Sequence, residues 1–99
     1  MVQIRWTLQA KNDLKDIYDY ISKDSKKYAQ FQVLKIKNST MVLRNYIYAG
    51  KMVGEVCRTE IREIVEGNYR IKYKINNNFS ADILTIHHSA KNLAKINFD

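Results

Sequence analysis

The residues best suited to chemistry lie in the second half of the chain, within the stretch EIREIVEGNYRIKYKI of residues 60–75. From Tyr69 onward, apolar and basic residues alternate strictly, which predicts a strand with opposite faces of different character. One face of that strand carries Arg70, Lys72 and Lys74. Such a basic row is a solvated sheet surface, a nucleic-acid contact or the edge of an active site.

Three titratable side chains near this strand could take part in proton transfer. Glu55 and Glu63 are possible general bases beside Arg70, or they form ion pairs with cations across the sheet. His88 ends the last predicted strand, and its imidazole titrates near neutrality, as a general acid or base must. A structural hydrogen bond is the alternative role for His88. One Cys and two adjacent His supply no tetrahedral ligand set, so the sequence predicts neither a metal nor a cofactor.

Length and composition predict one small soluble domain spanning residues 1–99. Hydrophobic residues make up 45% of the chain, and no apolar run approaches the length that would cross a bilayer. The N-terminal stretch MVQIRWTLQAK lacks the features of a secretory signal, and Cys57 is alone. We therefore expect a cytoplasmic protein.

The charge balance predicts an acidic partner. Seventeen Lys and Arg residues stand against ten Asp and Glu residues, for a net charge of +7. Such an excess on a small domain favours nucleic acid, an acidic peptide or an acidic protein surface, without choosing among them.

The first half of the chain predicts a strand and two helices. Period-two alternation over residues 2–6 indicates a strand, and Thr7 follows as a helix N-cap. Apolar residues over 10–21 then recur on one helical face. After a short turn, residues 29–47 show a second helical pattern of about six turns. The turn is so short that the two helices must pack antiparallel.

The second half predicts four strands. The segments KMVGEV, EIREIV, YRIKYKI and FSADILTIHH are rich in Ile, Val and Tyr. Gly67-Asn68 is a two-residue hairpin signal, and residues 76–78 form a second turn. The predicted fold is therefore α+β: an N-terminal strand, an antiparallel helical hairpin, and a four-stranded antiparallel meander forming a curved sheet. Residues 89–99 either form a short helix or fray.

Placed on these elements, five sequence pieces resemble the RelE/ParE family of type II toxin–antitoxin toxins, most closely its ParE branch. They are Trp6, the pattern A..DL..I..YI..DS from Ala10, G+.V.E from Gly50, IRE...GNYRI.Y.I from Ile61, and ILTIHHSAKNL of residues 83–93. The pieces occur in the family's order and on the expected elements. The family's proline before G+.V.E is absent, and the chain contains no proline at all.

The resemblance implies a small basic toxin that is neutralised by a cognate antitoxin. That antitoxin is expected to have a DNA-binding half and a flexible toxin-binding segment, acidic in character. ParE-type relatives inhibit DNA gyrase without an evident catalytic site, whereas RelE-type relatives cut mRNA on the ribosome. A third possibility is a degenerate, non-toxic module that only binds antitoxin.

If the chain is a metal-independent endoribonuclease, the resemblance assigns its catalytic residues. Arg70 matches the family arginine and would hold the phosphate, His88 would transfer the proton, and Arg62 or Lys91 would supply a further cation. Two RelE-type lysines are missing near Ile61, and the RelE-type terminal tyrosine is missing too. These departures favour binding over cleavage.

Contact with a partner is expected from basic residues on both halves of the fold. Lys37 and Arg44 lie one heptad apart on the second predicted helix, where a solvated face is the plain alternative. The other predicted contact residues are Arg70, Lys72 and Lys91.

Overall fold

The computed structural model describes residues 2–53 and 58–89, and eight elements lie within them. Two are α-helices and one is a 3₁₀ helix; the remaining five are strands. In chain order they are β1 (Gln3–Trp6), α1 (Leu8–Ser22), α2 (Lys26–Ser39), a 3₁₀ helix (Thr40–Arg44), β2 (Lys51–Met52), β3 (Ile61–Glu66), β4 (Tyr69–Asn77) and β5 (Ser80–His88).

The strands form one mixed sheet in the order β1-β5-β4-β3-β2. Strands β2 to β5 pair antiparallel with their sequence neighbours, which confirms the predicted meander. Strand β1 pairs in parallel with β5, with Ile4 opposite Ala81. The α+β prediction is therefore confirmed, and the N-terminal strand extends the meander into a five-stranded sheet.

Each of the two α-helices begins at a side-chain cap. The hydroxyl of Thr7 accepts from the backbone N–H of Ala10 over 3.1 Å, and Ser25 caps α2 in the same way through Tyr28. Thr7 Oγ1 also donates to the carbonyl of Ile83 over 2.8 Å. The predicted Thr7 cap is confirmed, and it also ties the start of α1 to β5.

Helix α2 is shorter than the sequence pattern indicated. Instead of six turns reaching Ile47, the α-helix ends at Ser39, and a 3₁₀ helix follows to Arg44. At this point Ser39 donates its hydroxyl to the carbonyl of Ile36, and Thr40 donates to that of Lys37. Hydroxyl side chains that bond nearby carbonyls compete with the helical backbone, which explains the change.

The Gly67-Asn68 turn is present as predicted, whereas the second turn lies at residues 78–79 instead of 76–78, because the pairing of β4 with β5 continues to Asn77. Gly67 has a φ of +58°, and Glu66 lies opposite Tyr69, so the turn has its positive φ at the first central position, as in a type II′ turn. In the next turn the Asn77 side chain accepts from the backbone N–H of Phe79 over 2.8 Å.

The core lies between the helical hairpin and one face of the sheet. Ile71, Tyr73 and Ile75 belong to it, and Tyr69 packs against its edge, which confirms the predicted apolar face of β4. The other core residues are Ala10, Leu14, Ile36, Leu43, Ile47, Ala81, Ile83 and Ile86. Because the apolar residues of β4 face the core, Arg70, Lys72 and Lys74 lie on the opposite face of the strand.

The carboxylate of Asp13 links α1 to strand β5 by hydrogen bonds. Oδ2 of Asp13 accepts from the hydroxyl of Thr85 over 2.5 Å and from the backbone N–H of Ile86 over 3.0 Å. Asp13 belongs to the matched A..DL pattern. Its contacts give it a structural role.

We expect Thr7→Ala to lower the free energy of unfolding by about 1–2 kcal/mol, because the cap and the bond to β5 are lost together. Urea unfolding of the two proteins measures this difference. Thr7→Ser keeps the hydroxyl and should recover most of the loss. An equal loss in both variants would attribute the effect to the methyl group.

Candidate functional site

The candidate site is built around one carboxylate that binds two cations. Arg70 donates two hydrogen bonds to the carboxylate of Glu63, from Nε over 2.8 Å and from Nη2 over 2.9 Å. The ammonium of Lys72 contacts Oε2 of the same carboxylate. Glu63 lies opposite Lys72 across the β3–β4 ladder, so the strand register brings the three together. The predicted ion pairing of Glu63 across the strands is confirmed.

Burial changes the interpretation of the basic row. The side-chain exposure is 20% for Arg70 and 0% for Lys72. Lys72 is therefore not part of a solvated surface, and in this conformation a partner cannot reach it. A buried lysine needs a carboxylate because an isolated charge is costly to desolvate, and Glu63 supplies it.

Arg70 and His88 project to opposite faces of the sheet. His88 lies opposite Tyr69, whereas Arg70 lies opposite His87. Successive strand residues point to opposite faces, so the neighbours Tyr69 and Arg70 diverge. The His88 ring meets that of Tyr69 edge-on, with centroids 5.5 Å apart, on the side where Tyr69 packs against the core. The two side chains assigned to catalysis therefore do not converge on one phosphate.

His87 is the histidine that sequence reasoning passed over. It is buried, and it lies opposite Arg70 across the β4–β5 ladder. The doublet HH offered two candidates, and only the strand register distinguishes them.

The other predicted catalytic residues do not complete a proton-transfer site. Nη1 of Arg62 donates to the carbonyl of Gly50 over 3.2 Å, and its guanidinium lies 5.2 Å from the ring centroid of Tyr48. Burial raises the pKa of Tyr69 and of Tyr73 above the usual 10.0, so neither supplies a phenolate at neutral pH. The predicted residues Glu55 and Lys91 lie outside the described residues.

A second candidate surface is a groove between the two α-helices. Apolar side chains line it, three exposed lysines stand among them, and Asp19 adds one carboxylate. We call it the helical groove; its apolar residues are Trp6, Leu14, Tyr18, Val33 and Met41, and its lysines are Lys11, Lys15 and Lys37. Such a groove fits the apolar face of an amphipathic helix, with its acidic residues against the lysines.

The helical groove includes only part of the basic surface expected from sequence. Lys37 lies in it, whereas Arg44 is exposed at the end of the 3₁₀ helix. Lys11 and Lys15 were not singled out in the sequence, although their spacing of four residues places them on one helical face. Their joint position with Lys37 depends on how α1 packs against α2.

None of the described helices is long and apolar enough to cross a membrane.

Comparisons with known proteins identify the family. The family described as "ParE toxin of type II toxin-antitoxin system, parDE" matches residues 4–93. No curated protein matches the chain. A solved structure, the "Chromosomal ParDE TA system from P. aeruginosa", superposes with a TM-score of 0.73 at 21% identity, covering 89% of this chain and 96% of that chain. The superposition shows a shared fold, and the match over residues 4–93 shows that this chain belongs to the ParE toxin family of type II toxin–antitoxin systems.

Proposed function

We propose that this toxin acts in the cytoplasm, inhibits DNA gyrase by protein contact without chemistry of its own, and is neutralised by a cognate antitoxin. The observation that carries the non-catalytic part is the placement of Arg70. Its guanidinium is held by the buried Glu63, and it faces away from His88. An endoribonuclease needs a cation and a proton donor on the same phosphate, and these two side chains do not provide that pair.

The helical groove supports the antitoxin contact. Its apolar lining can be buried against the apolar side chains of a partner. Lys11, Lys15 and Lys37 favour a partner segment that is acidic. We propose that the antitoxin lays an acidic amphipathic helix into this groove. Arg44 lies outside the groove and is available to a different partner surface, such as that of gyrase.

The gyrase contact is tested in a supercoiling assay with purified enzyme. Excess toxin should inhibit supercoiling, and preincubation with the antitoxin should restore it. Unchanged supercoiling at excess toxin contradicts the proposed target. If expression of the free protein also leaves growth unaffected, the chain is instead a degenerate antitoxin-binding module.

The endoribonuclease alternative is tested in a translating extract. We expect no mRNA cleavage from the parent protein, and we expect His88→Gln to remain toxic in cells because its ring packs against Tyr69 rather than beside Arg70. Site-specific cleavage by the parent that is lost in His88→Gln would assign the protein to the RelE-type activity.

Reversing two charges of the helical groove should weaken antitoxin binding. We expect Lys11→Glu combined with Lys15→Glu to lower the affinity at least tenfold, because the acidic segment then meets like charge. Isothermal titration calorimetry measures the affinity. The matched control reverses Lys26 and Lys27, which are exposed at the start of α2 and do not line the groove. Equal losses from both pairs would show a dependence on net charge alone.

A further inference from the structure

An aromatic surface lies where the loop after the 3₁₀ helix meets the β4–β5 turn. We call it the aromatic end; its rings belong to Tyr46, Tyr48 and Phe79, which are exposed by 69%, 55% and 70%. The hydroxyl of Tyr48 donates to Oδ1 of Asn78 over 3.2 Å, which joins the loop to the turn. A cavity between loop and turn is lined by residues 45–49 and Asn78. Three exposed rings therefore lie on two segments that this hydrogen bond connects.

Cations surround the aromatic end. Arg44 and Lys51 are exposed at either side of the loop. The guanidinium of Arg62 lies 5.2 Å from the ring centroid of Tyr48, a cation–π contact that orients the ring. A polyanion that reaches the rings therefore meets positive charge close to them.

Two carboxylates of the described residues, those of Glu60 and Asp82, are in ion pairs. Glu60, the residue before β3, accepts from Nε of Arg58 over 2.8 Å, which lowers the pKa of its carboxyl. Asp82, next to the β4–β5 turn, accepts from Nε of Arg5 over 3.1 Å. Each of these two carboxylates is therefore balanced by its own arginine.

We propose that the aromatic end binds single-stranded nucleic acid. Bases stack on Tyr46, Tyr48 and Phe79, while Arg44 and Lys51 hold the phosphates. The exposed Asn45 side chain supplies an amide donor and acceptor for base edges. An acidic protein surface would contact the same cations, but it has no planar bases to stack on the exposed ring faces. The proposed site does not depend on the proposed gyrase contact, although both surfaces would include Arg44.

Fluorescence anisotropy with labelled 15-nucleotide oligo(dT) and oligo(U) tests the proposal. The parent protein should bind at least one of them, with an affinity that falls as salt rises. The tighter of the two identifies the nucleic acid. We expect Tyr46→Ser combined with Phe79→Ser to weaken binding at least tenfold, because two stacking faces are removed. Phe79→Trp, which keeps a stacking face, should bind as well as the parent.

The control removes charge elsewhere: Lys27→Gln, exposed on α2, should lose at most a few-fold in affinity. Thermal melts show whether each variant is folded, and if the double variant melts early, Phe79→Ser alone carries the test. The proposal is overturned if the parent binds neither oligonucleotide, if folded ring variants bind unchanged, or if polyglutamate competes equally. Tighter binding of a DNA duplex than of single strands overturns it as well.

Discussion

Replacing Glu63 with glutamine should lower the free energy of unfolding by about 3–5 kcal/mol, because two buried or partly buried cations lose their shared carboxylate. Gln keeps the shape of Glu but not the charge. Lys72, with a side-chain exposure of 0%, has no access to water in compensation. Arg70 is 20% exposed and can turn partly to solvent, so Lys72 accounts for most of the cost.

The matched control is Asp82→Asn, which makes the same chemical change in a pair with Arg5, whose side chain is 63% exposed. Exposed pairs contribute about 0–1 kcal/mol, so this variant should unfold close to the parent. Urea unfolding, fitted with the same m-value for both variants, compares their free energies of unfolding. Similar small losses from both variants would contradict the buried position of the cluster. Glu63→Gln combined with Lys72→Met should recover stability, because the buried cation is removed as well.

The burial of Lys72 shows the limit of reasoning from alternation. The pattern correctly assigned Ile71 and Tyr73 to the core face and Lys72 to the other. It gave no information about whether that other face is open to solvent, because burial there depends on contacts between residues distant in sequence. The charge partner was predictable, since Glu63 precedes the hairpin at Gly67-Asn68 and the two-residue turn fixes the register.

The position of His88 shows a second limit. The β4–β5 register shifts by one residue between Lys72 and Tyr73. A second shift between Ile75 and Asn77 compensates for it, so Arg70 lies opposite His87 only because the two irregularities occur together. A one-residue shift reverses which side chains share a face, and the residues around such bulges carry no distinctive sequence signal.

Local signals were predictable where one residue determines one geometry. Thr7 caps a helix through its own hydroxyl, and Gly67 adopts a positive φ that other residues rarely adopt. The parallel pairing of β1 with β5 and the helical groove required packing between distant segments. The sequence contains their residues but not their proximity.

Gly50→Ala should be the second large effect, with a loss of about 3 kcal/mol or more in the free energy of unfolding. A Cβ at this position would lie 2.5 Å from Cε1 of Tyr73 and 2.7 Å from the backbone carbonyl of Glu63. The Tyr73 hydroxyl accepts from the Gly50 N–H over 2.9 Å and donates to the carbonyl of Ile47 over 2.8 Å. Moving either partner therefore breaks buried hydrogen bonds.

The control for Gly50→Ala is Gly67→Ala, where the physical cause differs. A Cβ at Gly67 would meet nothing within 4 Å, but the φ of +58° costs a residue with a side chain about 1–2 kcal/mol. The two losses should therefore differ: in urea unfolding, Gly50→Ala should have a lower free energy of unfolding than Gly67→Ala. Tyr73→Phe added to Gly50→Ala should not restore stability, because Cε1 and the Glu63 carbonyl still obstruct the methyl group. If Gly50→Ala has the same free energy of unfolding as the parent, the loop does not approach the sheet this closely. The match of G+.V.E to the family at Gly50 would then need another physical cause.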